Sequence, residues 1–450
     1  MDLAKQLEDE GAHIIAIKDM AGLLKPYAAE QLIKGLKKSI DIPIHLHTHD
    51  TSSIQSATYL KAIEAGIDIV DVALGAVSGL TSQPNFNSIA SMLQGQKRHR
   101  PIDVQSLNQY SNYWETVRTY YYPFESELQA GSADVYLHEI PGGQYSNLRP
   151  QARGLGLEDK FETIKENYRA ANDLLGNLIK VTPSSKVVGD MAMFMTANDL
   201  DKTAVLQKGD SLSFPDSVKA LMRGDLGQIA GGFPADIQKM ILKNEEAYTN
   251  RPNAHLKPID FDTEMIDFHQ KFDSSLSIKD FISYKLYPKV FSDYYEHFQQ
   301  YGEIKLLPSL PFFYGLQPNE EIIVTLAKGK NIIIKYLNQT EPNEKGYRVV
   351  FFDLNGQSRS IEVRDQSLTS TIQENQKVTT DAQIGAPLQG SLSQILVKEG
   401  DKIEVNTPLF IIEAMKMEST VTSPLSGTVT KIYLNEKTLV EQNDLVLEIE

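Results

Sequence analysis

An internal repeat near the end of the chain restricts its fold more than any other feature. Pro387, Leu388, Gly390, Leu392, Ile395, Val397, Ile403, Asn406, Leu409 and Phe410 match Pro424, Leu425, Gly427, Val429, Ile432, Leu434, Val440, Asn443, Val446 and Leu447. Apolar positions that alternate and are broken by Gly and Asn read as short strands. Two copies in tandem predict a duplicated β-sandwich whose midpoint is the run Glu413-Ala414-Met415-Lys416-Met417. A tight turn there would hold the Lys416 amine in solvent, where an ordinary lysine adds only charge. One position breaks the repeat: Lys437 stands where the first copy has Gly400, and its turn is expected to be less regular.

The start of the chain has a different rhythm. A helix over residues 2–10 precedes a strand-like run over 13–19. Helix 26–39 leads into a strand at 42–50, helix 56–65 into a strand at 67–74, and residues 135–140 predict one strand more. Strands alternating with helices of this length argue for βα units around a parallel sheet. About four such units are present, whereas a closed (β/α)8 barrel needs eight. Because the chain opens on a helix, the first half of the barrel is expected to be missing from this sequence.

Barrel active sites lie at the C-terminal ends of the strands, and two strands here end in chemistry. Side chains alternate along a strand, so His45, His47 and His49 point the same way. A His-x-His pair at a strand end can grip one metal ion, its rings leaving one face about 7 Å apart at the backbone. Hydrogen-bonded core histidines would show the same pattern, and His45, deeper in the strand, is assigned to the core. On the preceding strand Lys18 shares the face of Ile14 and Ala16 and is expected to point inward. A protonated lysine has three donors and no acceptor. It can ligate a metal only after carbamylation by CO2, and an ion pair with a carboxylate such as Asp50 is the alternative.

Helical patterns follow, from near Leu157 through Ile179. Thr182-Pro183-Ser184-Ser185-Lys186 before an apolar run reads as a helix start with hydroxyl caps, and Met191, Met193 and Met195 are assigned to the core. Residues 278–299 are helical apart from Pro288, with an aromatic stripe of Phe281, Tyr284, Tyr287, Phe291, Tyr294 and Tyr295 that reads as core with some subunit contact. Residues 322–326, 331–337, 348–354 and 360–363 alternate as strands, with Asn355-Gly356 as a hairpin turn. Residues 366–383, rich in Ser, Thr, Gln and Asn, read as a flexible linker spanning roughly 23 Å as coil and about 60 Å extended.

With 450 residues the chain is expected to hold two to four domains, and a net charge of -15 speaks against a nucleic-acid surface. The absence of cysteine excludes disulfides and thiolate metal sites. A metal must then rest on His, Asp, Glu or a modified Lys. No apolar run reaches about 18 residues and no secretory signal opens the chain, so the expected compartment is the cytoplasm, with no membrane partner.

The Ala-Met-Lys-Met run at the centre of the repeat resembles the biotinyl carrier domain of biotin-dependent carboxylases, over residues 384–450. Lipoyl carriers share the sandwich but usually lack the flanking methionines. The resemblance implies biotin attached covalently at Lys416 by a biotin protein ligase. The runs Ile17-Lys18-Asp19-Met20-Ala21-Gly22-Leu23-Leu24 and His45-Leu46-His47-Thr48-His49-Asp50-Thr51, and the stretch over 181–190, resemble the carboxyltransferase barrel of pyruvate carboxylase. That likeness implies a carbamylated Lys18 binding a divalent ion (Mn, Zn or similar) together with His47 and His49. It also implies that Thr182 relays a proton between pyruvate and biotin, while Ser185 and Lys186 contact the biotin ureido group. The family's fourth metal ligand, an early-strand aspartate, and the arginine that holds the pyruvate carboxylate fall in the part expected to be missing. Ser53 departs from a glycine usual in the family. The strand-rich third segment is similar to the allosteric and tetramerisation domain that separates pyruvate carboxylase from sodium-pump oxaloacetate decarboxylase.

The expected fold class is therefore α/β: the C-terminal half of a TIM-type (β/α)8 barrel with appended helices, a small α+β domain, and a C-terminal all-β biotinyl/lipoyl-like flattened sandwich. The divisions are a partial carboxyltransferase domain at 1–275, an allosteric/tetramerisation domain at 276–365, a linker at 366–383 and a carrier at 384–450. The implied reaction is carboxyl transfer from carboxybiotin to pyruvate, giving oxaloacetate, within a homotetramer. ATP and bicarbonate would enter only through an absent N-terminal domain, since no Gly-rich phosphate loop replaces it. An oxaloacetate decarboxylase-type subunit and a non-catalytic carrier or assembly module stay open as alternatives, and the isolated chain is not expected to be competent alone.

Overall fold

The computed structural model describes every residue except 127, 344–345, 366–374, 381 and 415–416, together with the side chain of Met417. The chain forms two compact units, one made of residues 1–254 and 374–450 and the other of residues 255–373.

The first unit opens with α1 (Asp2–Asp9), β1 (Ile15–Asp19), α2 (Pro26–Ser39), β2 (Ile44–Thr48), α3 (Gln55–Ala65) and β3 (Ile69–Val70). The three strands form a parallel sheet in the order β1-β2-β3. Pro26 starts α2 after an extended Lys25, a place where its fixed φ suits the helix and its missing N–H is not needed. Ile44, Leu46 and Thr48 form the buried face of β2, and the two apolar side chains pack in one core with Ile33 of α2 and Tyr59 and Ala62 of α3. Burial of each large apolar side chain contributes about 1.5–3 kcal/mol. That layer decides which face of β2 is left for the histidines.

One expectation fails on β1. Ala16 and Lys18 share a face, but both are exposed, and Ile14 is 47% exposed beside them. Lys18 therefore shares the face of His47, away from the helix-packed side of the sheet, but that face is open at Lys18 itself.

Nine helices follow in this unit: α4 (Phe86–Met92), α5 (Val104–Arg118), α6 (Val135–His138), α7 (Gly142–Gly154), α8 (Phe161–Leu174), α9 (Ser184–Ala197), α10 (Lys202–Lys208), α11 (Asp216–Arg223) and α12 (Ala235–Leu242), counted among the described residues. Residues 135–140 thus begin as a short helix and not as the expected strand. Glu139 turns left-handed at φ +57, and the buried His138 accepts the Ile140 amide on Nδ1 at 3.0 Å. The segment closes on itself before any strand pairing can form. Met191, Met193 and Met195 on α9 are buried in the core.

The second unit contains α13 (Phe261–Lys271), α14 (Ile278–Leu286), α15 (Pro288–Tyr301) and α16 (Ser309–Tyr314), then β4 (Glu321–Ala327), β5 (Lys330–Gln339), β6 (Tyr347–Leu354) and β7 (Gln357–Arg364). Pro288 splits the aromatic helix by opening α15 at its first position. Phe281 and Phe291 are buried against Phe268 of α13, each ring 5.6 Å from it, whereas Tyr287 and Tyr294 are exposed. Phe268 is the reason α13 lies in this unit, ahead of a division at residue 275. The sheet runs β4-β5-β6-β7, all antiparallel, and Asn355 (φ +51) and Gly356 (φ +82) make the β6–β7 turn.

The chain's last segment returns to the first unit as β8 (Gln383–Gly385), β9 (Gly390–Ile395), β10 (Lys402–Ile403), β11 (Pro408–Ala414), β12 (Met417–Thr422), β13 (Gly427–Ile432), β14 (Leu439–Val440) and β15 (Leu445–Ile449). They form two four-stranded sheets, β10-β13-β15-β8 and β12-β11-β9-β14. The repeat is visible atom by atom. A Cβ on Gly390 would lie 2.6 Å from the Glu413 carbonyl and 2.8 Å from Ile412 Cγ2, and one on Gly427 would meet Glu450 and Ile449 at the same two distances. Lys437 takes the left-handed turn (φ +69) that Gly400 takes at φ +93, so the turn forms at a cost of about 1 kcal/mol. Ala414 pairs with Met417. Met415 and Lys416 between them lie outside the described residues, as do residues 366–374 and 381 of the expected linker.

Candidate active site

Parallel pairing sets Lys18 of β1 opposite His47 of β2. On β2, His45 and His47 occupy the half-buried face, and His49 follows just beyond the strand. His45 Nε2 and His47 Nδ1 each bond one oxygen of Asp71, both at 2.7 Å, and His49 Nδ1 bonds the Thr81 carbonyl at 2.6 Å. Carbonyl and carboxylate oxygens only accept, so His47 and His49 carry their protons on Nδ1 and keep a lone pair on Nε2.

Those two Nε2 atoms face each other at 3.2 Å, with the rings 5.0 Å apart and 76° inclined. Two lone pairs at that distance repel unless a cation lies between them. Nitrogens bound at about 2.1 Å to a zinc-sized ion stand roughly 3.0–3.4 Å apart when the angle at the metal is about 90–109°. The pair fits a divalent ion, and its outer bonds to a carboxylate and a carbonyl are those that orient metal-ligating imidazoles.

Burial works to raise the Asp71 pKa, but the bonds from His47 and His45 outweigh it and hold the carboxylate below its ordinary range. Burial keeps His49 below the usual imidazole range, against the pull of its Thr81 bond. Lys18 makes no ion pair with Asp50, whose Oδ1 accepts the Gln55 amide at 3.0 Å. Among the described residues no third His, Asp or Glu joins the histidine pair. Asp19 is engaged elsewhere, taking the amides of Leu23 and Leu24 at 2.9 Å and the Thr48 hydroxyl at 2.8 Å. Lys18 lies opposite His47 on the same sheet. Ser53 sits at φ +61, a conformation that a glycine takes without strain.

The first turn of α7 closes over His49. A Cβ on Gly142 would lie 2.9 Å from His49 Nδ1 and 3.0 Å from the Thr81 oxygen, so only glycine lets the helix approach this far. In the same turn the Gln144 amide lies against α9, 2.6 Å from where a Gly189 Cβ would be. Its nitrogen is buried with no hydrogen-bond partner among the described residues.

On α9, Thr182 is exposed just ahead of the helix and Pro183 occupies the N-cap without a side-chain bond. The expected hydroxyl cap does not form, because proline has no side-chain oxygen and Ser184 Oγ turns back to the carbonyls of Ile179 and Val181, both at 2.7 Å. Ser185 is buried, its carbonyl taking the Tyr168 hydroxyl at 3.3 Å. Lys186 Nζ and Ser217 Oγ both bond Asp190 Oδ2 at 2.6 Å. Asp190 is 1% exposed, and burial pushes its pKa up against the pull of Lys186 and Ser217.

The structure thus gathers Lys18, His47 and His49 on one sheet and Ser185 and Lys186 on one helix. Thr182 is left at the exposed start of that helix, and Lys416 is outside the described residues. Sequence reasoning missed Asp71, Thr81, Gly142 and Asp190. Asp71 had a signal, since a carboxylate ending the third strand falls where barrel chemistry collects. Asp190 had one too, four residues past Lys186. Thr81 and Gly142 had none, their contacts being non-local.

Residues 1–113 match a family model described as HMGL-like, residues 135–335 a conserved carboxylase domain, and residues 382–449 a biotin-requiring enzyme domain. The carrier region is accordingly of the kind that holds biotin covalently. The chain is 46% identical over 450 residues to pyruvate carboxylase of Bacillus subtilis and 41% identical over 458 residues to human mitochondrial pyruvate carboxylase. Each match takes in 100% of this chain and 39% of the relative, so the chain spans about two fifths of the curated relatives it matches. The carboxyl transferase domain of Rhizobium etli pyruvate carboxylase with pyruvate and biocytin superposes at a TM-score of 0.73 and 47% identity, over 81% of this chain and 61% of that one. The complete multifunctional enzyme from the same organism superposes at 0.71 and 42%, over 99% and 41%. No helix among the described residues is long and apolar enough to cross a membrane.

Proposed function

We infer, from a chain that corresponds over its whole length to the C-terminal portion of pyruvate carboxylase, that it carries the step in which carboxybiotin and pyruvate become biotin and oxaloacetate. The observation that carries this reading is the facing pair of Nε2 atoms on His47 and His49, 3.2 Å apart and each anchored from behind through Nδ1. With carbamylated Lys18 they would hold a divalent ion, manganese, zinc or similar, which when bound supplies Lewis acidity to the ketone oxygen of pyruvate. The remaining work falls to side chains. The Thr182 hydroxyl donates and accepts at once, so it can take the proton leaving the pyruvate methyl and hand another to the biotin ring. Ser185 and Lys186 would hold the ureido group, and Lys416 would carry the biotin.

Residues 276–365, which fall in the second unit, are proposed as the allosteric and tetramerisation domain of a homotetramer. A biotin protein ligase would be the partner that acylates Lys416, and the cytoplasm the compartment. ATP and bicarbonate would be used by the part of the relatives that this chain does not cover.

Co-expression with a biotin ligase should make the chain react with streptavidin, and Lys416→Arg should abolish the signal. Metal analysis should give one divalent ion per chain, lost in His47→Ala. Streptavidin labelling that survives Lys416→Arg, or stoichiometric metal that survives His47→Ala, refutes the corresponding assignment. The exposed face around Lys18 favours a second reading, in which the isolated chain acts only as a carrier and assembly module. Little or no oxaloacetate from the purified chain with pyruvate and carboxybiotin is the outcome that this reading predicts.

A further inference from the structure

Two residues at the start of α11 face in different directions and hold different things. Asp216 Oδ2 accepts the hydroxyl of Thr420 on β12 at 2.6 Å. The next residue, Ser217, bonds buried Asp190 at 2.6 Å, and the same Asp190 oxygen holds Lys186. Two further bonds seat β12 on this helix and its approach. Lys219 Nζ reaches the Thr420 carbonyl at 3.4 Å, and Ser213 Oγ takes the Thr422 amide at 3.3 Å. β12 begins one residue after Lys416, so the strand seated here is the one leading away from the proposed biotin.

We propose that the first turn of α11 couples the seating of the carrier domain to the placement of Lys186, with Asp190 as the positioning residue between them. The amides of a first helical turn have no partners four residues back, so beyond the bonds from the Val218 and Lys219 amides to the Pro215 carbonyl this turn depends on what its side chains bind. Asp216 is held by Thr420 of the carrier at 2.6 Å and more loosely by Lys219 of its own helix at 3.4 Å, and Ser217 is held by Asp190. When β12 leaves, Asp216 keeps only its 3.4 Å ion pair with Lys219 of the same helix, the turn loosens, and the grip of Ser217 on Asp190 weakens. Lys186, whose side chain remains 43% exposed beyond its bond to Asp190, is then freed to reorient. Seating the carrier would restore the bond network, so that the lysine is in place when the biotin arm arrives and is released when it departs. This rests on the assignment of Lys186 to the biotin ureido group, although the coupling itself can be measured without biotin.

The chain contains no cysteine, which makes the test clean. In the full chain, Ser213→Cys with Thr422→Cys should form a disulfide under mild oxidation, since the native hydroxyl oxygens lie 3.5 Å apart. A bridge within one chain or between two copies equally supports the seating surface, and no bridge above that of a Ser213→Cys, Thr438→Cys control overturns it. The second arm reads the Lys186 amine directly, by its rate of acetylation measured by mass spectrometry against exposed Lys208. Thr420→Val and Ser217→Ala should each raise the Lys186 rate roughly threefold to fivefold, the worth of one hydrogen bond, and Asp190→Asn should raise it at least as much. Bridging the carrier in place should return the Ser213→Cys, Thr422→Cys protein to the slow rate. A Lys186 rate that Thr420→Val does not change overturns the coupling. If the labelling behaves as stated but Lys186→Ala leaves the KM for free biotin unaltered in the complete enzyme, the ureido assignment fails and the coupling stands.

Discussion

Asp71→Ala should weaken metal binding by about ten- to thirtyfold while leaving the fold intact. Asp71 receives His45 Nε2 and His47 Nδ1 at 2.7 Å each, and the second of these bonds places the ring proton on Nδ1. Without the carboxylate the imidazole is free to carry its proton on Nε2, which removes the lone pair directed at the site, and to rotate away from the His49 nitrogen 3.2 Å off. Loss of such an outer partner typically costs 10–100-fold in metal affinity, which is about 1.4–2.7 kcal/mol. Because the Asp71 side chain is 39% exposed, solvent screening places the expected loss in the lower half of that range. Equilibrium dialysis of the chain against buffered zinc or manganese, with bicarbonate present so that Lys18 can be carbamylated, measures it. The companion variant His45→Ala should lose no more than about threefold, since His45 touches Asp71 and not the ion. Wild-type affinity in Asp71→Ala, or a wild-type chain that takes up no metal at all, refutes the reasoning. So does a loss in His45→Ala as large as in Asp71→Ala.

Gly142→Ala should cost about 1–3 kcal/mol of stability and lower metal affinity too, because the added methyl falls 2.9 Å from His49 Nδ1. Gly143→Ala, with nothing within 4 Å, should be neutral or slightly stabilising in the same urea titrations. His138 is held neutral, its pKa lowered by burial to about 4 from an ordinary 6.5, and its Nδ1 must stay unprotonated to accept the Ile140 amide. Its contribution is therefore complete above pH 6.5 and is lost as the pH falls toward 4, a change on the order of 3 kcal/mol. Urea midpoints between pH 7 and 4.5 should show that loss, and His138→Gln should flatten this part of the profile. Phe281→Ala removes a fully buried ring packed against Phe268 and should destabilise the second unit by about 3–5 kcal/mol, seen as early proteolysis confined to residues 255–373.

What the sequence disclosed was governed by period. The strand and helix alternation of the first 74 residues and the ten matched positions of the repeat follow from spacing alone, and in the structure they appear as the β1-β2-β3 sheet and the pair of sheets β10-β13-β15-β8 and β12-β11-β9-β14. The shared face of His45 and His47 was legible for the same reason. Residues 135–140 misled because Val135 and Ile140 are apolar and strand-prone, whereas the left-handed Glu139 and the inward bond of His138 decide the outcome. The exposure of Lys18 was not legible because alternation tells which side chains share a face but not whether anything covers it.

The two halves of the proposed chemistry meet at a single turn of helix. Gly142 lies against His49, on the side of the histidine pair, and Gln144 lies against Gly189 of α9, on the side of Thr182, Ser185 and Lys186. Two residues of helix advance about 3 Å, and a helix turn is far stiffer than a loop, so the offset between the histidine pair and α9 is set by backbone geometry and not by a mobile connection. Gly142 needs to be glycine, since a Cβ there would meet the His49 ring at 2.9 Å and the Thr81 carbonyl at 3.0 Å, whereas at Gly189 the nearest atom is the far end of the Gln144 side chain, which can shift. An enlargement at Gly142 should then disturb both sites together, whereas one in the open second position of α7, Gly143, should disturb neither. The candidate site is held in register by the methyl group that Gly142 lacks, which is also why none of its acidic or basic residues announced that register in the sequence.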